Sequence, residues 1–307
     1  GIESGLAGEL AAGKDDATLR FGQARFASDD IDAWGVDSLS LWAHDAILFE
    51  GDTRLDLGRK IELSAAVIGA APETPDIRVD LAAPYVRLAG RTELPEISGS
   101  TSQQGTGPFF DFGNDQISPD STHEDSRFSV RADLIDLGQG AVTFGGHGTR
   151  GLLGGNQAEV DLPGFGRVTL DSRGDIRLDN AVLTAQHELA LIAERLYPVT
   201  HSYNAVRVGD IRPGIDNAGD AILSIERRGG GMPDLPPSVF GSVYLLAPNI
   251  EQNGAVMAPL GLISVGNYGG NPAYVGVDPG YLGNIAVDAV LGGNSVTSIS
   301  AKGLVLP

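Results

Sequence analysis

The sequence predicts an all-β fold, a right-handed parallel β-helix with loop excursions, and three observations predict it. First, Val243–Gly266 contains four short apolar pieces divided by Ala-Pro-Asn, Asn-Gly and Ala-Pro corners, none long enough for a helix. Alternation puts Val243, Leu245 and Ala247 on one side of the first piece, and Ile263 and Val265 on one side of the last. Alone, the pair Asn253-Gly254 would read as a hairpin turn. Second, the pattern recurs at Leu41–Gly51, Leu81–Gly90 and Ala132–Phe144 and, shortened, at Leu191–Leu196. Each copy is an apolar strand ending at a small residue, a tight corner and a new apolar residue, usually with glycine close behind. Units that cannot bury their apolar side alone bury it by stacking on their neighbours. Third, 43 glycines and 17 prolines supply corners, while aromatics at 6% leave the core to columns of Leu, Ile, Val and Ala.

Taken in order, residues 1–30 hold one strand signal, Ala17–Phe21. Further signals follow at Ser38–Trp42, Ala46–Glu50, Thr53–Leu57, Ile61–Ser64, Ile77–Leu81 and Tyr85–Ala89. Leu39 and Ile61 are 22 positions apart and Leu63 and Leu81 are 18 apart, each near the roughly 20 residues of one turn. Residues 91–127 break the pattern, and a loop of that length is an excursion, with Phe109, Phe110 and Phe112 pinned to the wall. The repeat resumes at Phe128–Ala132, Leu134–Leu137 and Ala141–Phe144. Gly145–Gly155 reads as a glycine-rich connection. Strands follow at Gly166–Leu170, Asp175–Leu178, Val182–Ala185 and Leu189–Ala193. The nearest approach to a helical pattern, Ala185–Arg195, suits a strand equally well. Pro198–Asn204 reads as a loop, Val206–Val208 and Ala221–Glu226 as strands, and 227–241 as a Pro/Gly-rich excursion. A Gly/Tyr-rich loop at 267–283 precedes the closing strands Ile285–Val290, Val296–Ser300 and Leu304–Leu306. Residues 1–307 thus read as a single β-helix domain of about 11–12 turns, roughly 50–60 Å long. A charge at Ile250 or Ile263 should break the stack, whereas Glu251 and Arg177 lie on the outward phase.

The formal charge of −19 argues against nucleic acid, whose phosphates need clustered Lys and Arg, and against anionic membrane surfaces. Excess acid serves solubility. A cysteine count of zero excludes disulfides, thiol nucleophiles and thiolate metal sites. No run of 18 apolar residues occurs, so no stretch reads as a membrane helix. Gly1–Lys14 lacks a basic-then-apolar signal pattern, which suits either a chain whose signal has been removed or, the preferred reading, a piece of a longer precursor.

The run 247–263, together with Gly174–Leu178 and Ala193–Pro198, resembles segments of large bacterial filamentous-haemagglutinin-like exoproteins of the two-partner secretion family. The likeness covers most of 128–266 and is looser elsewhere; the order of three motifs carries it as well as their composition. It implies a right-handed β-helix passed through an outer-membrane two-partner-secretion transporter and acting, secreted or on the bacterial outer surface, in adhesion, aggregation and biofilm. It implies as partners further β-helix of the same precursor or other copies of the chain, and a glycan or protein on a host or neighbouring cell. Some members carry a C-terminal toxin. The sequence contains neither the family's Asn-Pro-Asn-Gly-Ile type secretion motif nor a toxin module.

Motifs for chemistry are sparse. No Gly-x-Ser-x-Gly, Walker loop or His-Glu-x-x-His occurs, and no cofactor is implied. His44, His123, His147, His187 and His201 lack ligand spacing. Gly145–Gly151 faintly resembles a phosphate loop, but no long helix follows to supply the dipole, so it reads as a corner. Asp111, Asn114, Asp115, Asp120, Glu124 and Asp125 form the one dense group of oxygen ligands, a candidate cation site set against a solvated loop. Arg173-Gly174-Asp175 spells an integrin-type tripeptide, set against a plain strand entry. Tyr268, Tyr274 and Tyr281 could stack on sugars or pack on the wall. A β-helical polysaccharide lyase or hydrolase would need paired carboxylates on one outer face. Asp133, Asp136, Asp161, Asp171 and Asp175 qualify by type, but Arg131, Arg173 and Arg177 lie among them and suggest ion pairs. The expectation is a non-catalytic adhesin or filament segment, with a self-assembling filament subunit and a lyase as alternatives.

Overall fold

The computed structural model describes residues 24–43, 46–90, 110–111, 122–151, 157–209, 221–266 and 288–302. It divides into a short unit ending at Val36 and a larger one beginning at Asp37. In the short unit, α1 (Ser28–Ala33) has Asp29 and Asp30 in its first turn, where acid suits the helix dipole, and buries Ile31. Six residues are too few to show a helical period, so the sequence gives no sign of it. The strand signal at Ala17–Phe21 lies outside the described residues.

The larger unit is a parallel β-helix of three sheets. Sheet I stacks β1 (Ser38–Trp42), β4 (Lys60–Ser64), β7 (Tyr85–Ala89), β10 (Leu134–Gly138), β15 (Asp175–Leu178), β18 (Arg195–Pro198), β23 (Ala255–Met257) and β26 (Val296–Ser298). Sheet II stacks β2 (Ala46–Phe49), β5 (Val67–Ala70), β11 (Gly140–Phe144), β16 (Ala181–Ala185), β19 (Tyr203–Val208), β21 (Ser242–Leu246) and β24 (Leu262–Val265). Sheet III stacks β3 (Thr53–Asp56), β6 (Arg78–Ala82), β9 (Thr122–Ala132), β14 (Gly164–Ser172), β17 (Glu188–Ile192), β20 (Ile222–Glu226), β22 (Asn249–Asn253) and β25 (Asp288–Leu291). The chain visits the sheets in rotation. Between β20 and β21, 227–241 stands where a sheet I strand would come, and it contains no strand.

The stretch 243–266 is one winding. Val243 pairs with Ile263 and Leu245 with Val265, 20 residues on, and Asn253-Gly254 is a corner between parallel sheets rather than a hairpin. Leu39 pairs with Ile61 as its spacing predicts. Leu63, however, stacks on Leu88, while Leu81 belongs to sheet III between Leu55 and Val130. The described residues give eight strands in sheets I and III, not 11–12 turns. Eight strands at about 4.8 Å span about 34 Å. The reason lies in the register of sheet I, where Val86 meets Ile135, 49 residues on, in the very next winding. Long insertions between such partners consume chain without adding turns.

The core is columns of aliphatic side chains. Leu81, Val130, Leu170, Leu191 and Ile225 follow one another inside sheet III, all buried. Gln252 comes next, equally buried, and its amide exchanges hydrogen bonds with Thr297 Oγ1 at 2.8 and 3.1 Å. Asn204, fully buried, accepts from the Ala181 N–H at 2.9 Å and donates to Ser242 O at 3.1 Å, tying three windings. The expectation of a purely aliphatic interior fails at one level: Phe49, Phe128, Phe144 and Phe165 cluster with ring centroids 5.0 to 6.4 Å apart.

Beside that cluster the wall opens. The glycine-rich connection at Gly145–Gly155 carries instead a strand, β12 (Gly146–Gly151), antiparallel to β13 (Gln157–Leu162) and to β8 (Phe110–Asp111). Its root is two glycines: Gly145 has φ +81°, and a Cβ there would lie 2.3 Å from the Gly164 amide nitrogen. The parallel repeat also resumes earlier than expected, at Thr122 rather than Phe128. Ala185–Arg195 is strand, not helix, at β17.

Candidate functional site

The outer face of sheet I concentrates ionisable side chains. Because the strands are parallel and in register, Glu62, Arg87, Asp136 and Arg177 occupy one outward column in successive windings. The neighbouring column brings Tyr85 over Lys60 and Arg195 beside Asp175. Signs alternate along the first column, so each of its charges has an opposite charge one strand away.

Glu62, 7% exposed at its side chain, takes Lys60 Nζ at 2.5 Å and Arg87 Nη1 at 3.2 Å. Asp136 accepts both arms of Arg177, each at 2.6 Å, and the Tyr85 hydroxyl at 2.7 Å. Asp175 accepts a second fork, from Arg195, at 2.8 and 2.7 Å. Arg195 also donates to the Asp234 carbonyl at 3.1 Å, pinning the 227–241 excursion onto the sheet. Ser238 Oγ donates to Pro198 O, and His201 stacks on Phe240 at 5.2 Å, which fix the same excursion at its other end.

These contacts shape the electrostatics. Burial first, then the hydrogen bond to Asp136, push the Tyr85 phenol up to about 12. Burial likewise raises Tyr197. The bonds to Asp136 and Asp175 raise Arg177 and Arg195, holding both fully charged. A carboxylate with both oxygens held by a guanidinium is a poor general base, and none of these groups is arranged as a proton donor facing a second free acid.

Other sequence candidates fall as follows. Asp133 pairs with Arg173, and Asp171 accepts Arg228 at 2.5 Å. Asp161 is the backbone register partner of His147 in the β12–β13 ladder. Within Arg173-Gly174-Asp175, Arg173 is 73% exposed, while Asp175 is 14% exposed at its side chain and locked to Arg195. The tripeptide therefore lies along the entry to β15 and does not form a loop tip. Asp111 lies on β8, and Glu124 and Asp125 are exposed on β9; Asn114, Asp115 and Asp120 are outside the described residues. Among the described residues, no three His, Asp or Glu side chains gather as a metal-binding group. Tyr268, Tyr274 and Tyr281 also fall outside them.

Sequence reasoning missed Lys60, Glu62, Tyr85, Arg87 and Arg195. Only register exposes their partnerships, since Tyr85 and Asp136 are 51 residues apart. Arg177, read as a plain outward residue, is a principal clamp of this ladder. No protein-family model, curated protein or solved structure matches the chain.

Proposed function

We propose that this chain is a non-catalytic β-helical segment of a filamentous-haemagglutinin-like exoprotein, acting at or beyond the bacterial surface as a spacer and attachment surface. The supporting observation is the sheet I ladder, in which outward carboxylates are neutralised by arginines of adjoining windings. A lyase would keep such groups available to a sugar; here they staple turns. The resemblance of 247–263, 174–178 and 193–198 supports the family and, with it, export through a two-partner-secretion transporter. Partners on this reading are more β-helix, from the same precursor or another copy, and a molecule on an opposing cell.

The test is to present the purified chain on beads to bacterial and host cells while assaying it for reducing-end release from acidic and neutral polysaccharides. The expected outcome is attachment or clumping without turnover. Clear turnover that disappears in Asp136→Asn would overturn the reading in favour of the enzyme.

A further inference from the structure

The outer face of sheet III breaks the rule that sheet I keeps. In register across β6, β9 and β14 stand Arg78, Arg127 and Arg167, three arginines in consecutive windings about 4.8 Å apart. All three are exposed. Like charges side by side on neighbouring strands are destabilising, and the sheet I column of the same windings alternates sign instead. Neither Arg78 nor Arg127 has an ion-pair partner among the described residues. Arg167 meets Glu188 at 2.6 Å in a pair open to water, of the kind another anion displaces readily. Arg131, also exposed, lies four residues beyond Arg127 on the same side, opposite Asp171, whose carboxylate Arg228 already occupies. Between the arginines run Ser129 and Thr169. The acids nearby are Asp52, whose Oδ1 accepts the Arg78 backbone N–H at 2.8 Å, Asp80, next to Ser129 in the middle column, and Glu124 and Asp125 toward the start of β9.

We propose that this face binds a linear anionic polysaccharide lying along the stack, with its carboxylates or sulfate esters seated on Arg78, Arg127 and Arg167. A row of guanidinium groups at strand spacing calls for an extended ligand with repeated anions, because a single small anion would leave the other arginines crowded. The planar fork grips carboxylate and sulfate oxygens two at a time, and the Ser129 and Thr169 hydroxyls match a sugar's own hydroxyls. Nucleic acid fits less well. No aromatic ring points outward among these arginines to stack a base. This inference names the ligand class for the attachment reading and rests on it.

The experiment measures binding of the full chain to immobilised polygalacturonate, a sulfated galactan, neutral dextran and single-stranded DNA, at low and high salt. The expected result is salt-sensitive binding to one or both acidic glycans; which one binds identifies the acid. Arg127→Gln should weaken it roughly tenfold, the value of one charge-assisted contact. Arg78→Gln should act in the same direction, and Lys302→Gln, an exposed cation elsewhere, should change nothing. Circular dichroism checks that each variant folds, with Arg127→Lys as the second variant should Arg127→Gln fail. Four results overturn the proposal: no binding to either acidic glycan, unchanged binding by both arginine variants, equal binding to dextran, or stronger retention of DNA through the same arginines. Cells stripped of acidic glycans separate the two ideas. Persistent attachment without glycan binding removes this inference alone, whereas absence of attachment to any cell removes the attachment reading itself.

Discussion

At the scale of single residues, position relative to the pleat decides what a side chain does. Ile250 is buried inside sheet III and the next residue, Glu251, is exposed. Ile250→Ala should cost about 2–5 kcal/mol in a denaturant titration, as cavities of that size do, while Glu251→Lys should shift the midpoint little. Arg177 is the instructive case. Alternation correctly puts it outside, yet its fork on Asp136 makes Arg177→Gln a loss of about 1–3 kcal/mol, the usual cost of leaving a half-buried acceptor unmet. Arg177→Glu should be worse, because two acids then face each other. Tyr85 adds a pH dependence. Its hydroxyl titrates at 10.0 unfolded and at about 12 when folded. A folded value above the unfolded one lends stability that is complete below about pH 10 and lost as pH climbs through about 12. Tyr85→Phe should flatten that stretch of the stability–pH curve; an unchanged curve would contradict the upward shift that burial and the bond to Asp136 impose on the phenol. None of these partnerships could be read from the sequence, because a parallel stack joins residues tens of positions apart.

At the scale of elements, legibility followed local chemistry. Pro and Gly corners with alternating apolar residues marked most strands, since each signal fits in five or six residues. The run Val-Tyr-Leu-Leu-Ala was plain for a second reason: all of β21 is buried. On sheet II several outward residues, among them Val67, Ala205 and Leu246, are buried as well, and strands covered on both faces read as continuous apolar runs. The β12–β13 pair hid because β12 is half glycine, three residues of six, which mimics a loop in composition. Its root is where glycine is required. Gly145 sits at φ +81°, with the Gly164 backbone where a Cβ would go. Gly145→Ala should therefore destabilise by about 1–3 kcal/mol, the cost of a left-handed residue with a side chain, before any clash is counted. Gly229→Ala, in open space with no positive φ, is the matched control and should be near neutral. Equal thermal midpoints for the two variants would show that the hairpin root tolerates rearrangement.

At the scale of the larger unit, a solenoid has no single centre, so stability should vary along the stack. Each winding touches only its neighbours, and local opening is easiest where one neighbour is missing among the described windings. The residues around β9, β11 and β14 have the most to hold them: three fully buried phenylalanines, aliphatic columns on either side and the Asp136 clamp in the adjoining sheet I strand. At the other extreme β25 is exposed along its whole length, with Val290 and Leu291 each 61% accessible. Native-state hydrogen exchange should therefore show amides of the end strands, β1 to β3 and β24 to β26, opening first, those of β19 to β22 later, and those of β9, β14 and β17 last. Asn204→Ala tests the coupling between windings. Its side chain bonds to backbone on both neighbouring turns, so the variant should speed exchange in β16, β19 and β21 together while leaving β4 and β7 unchanged. A uniform rise across all strands would mean that the unit opens as one cooperative body, and the nearest-neighbour account of its stability would be wrong.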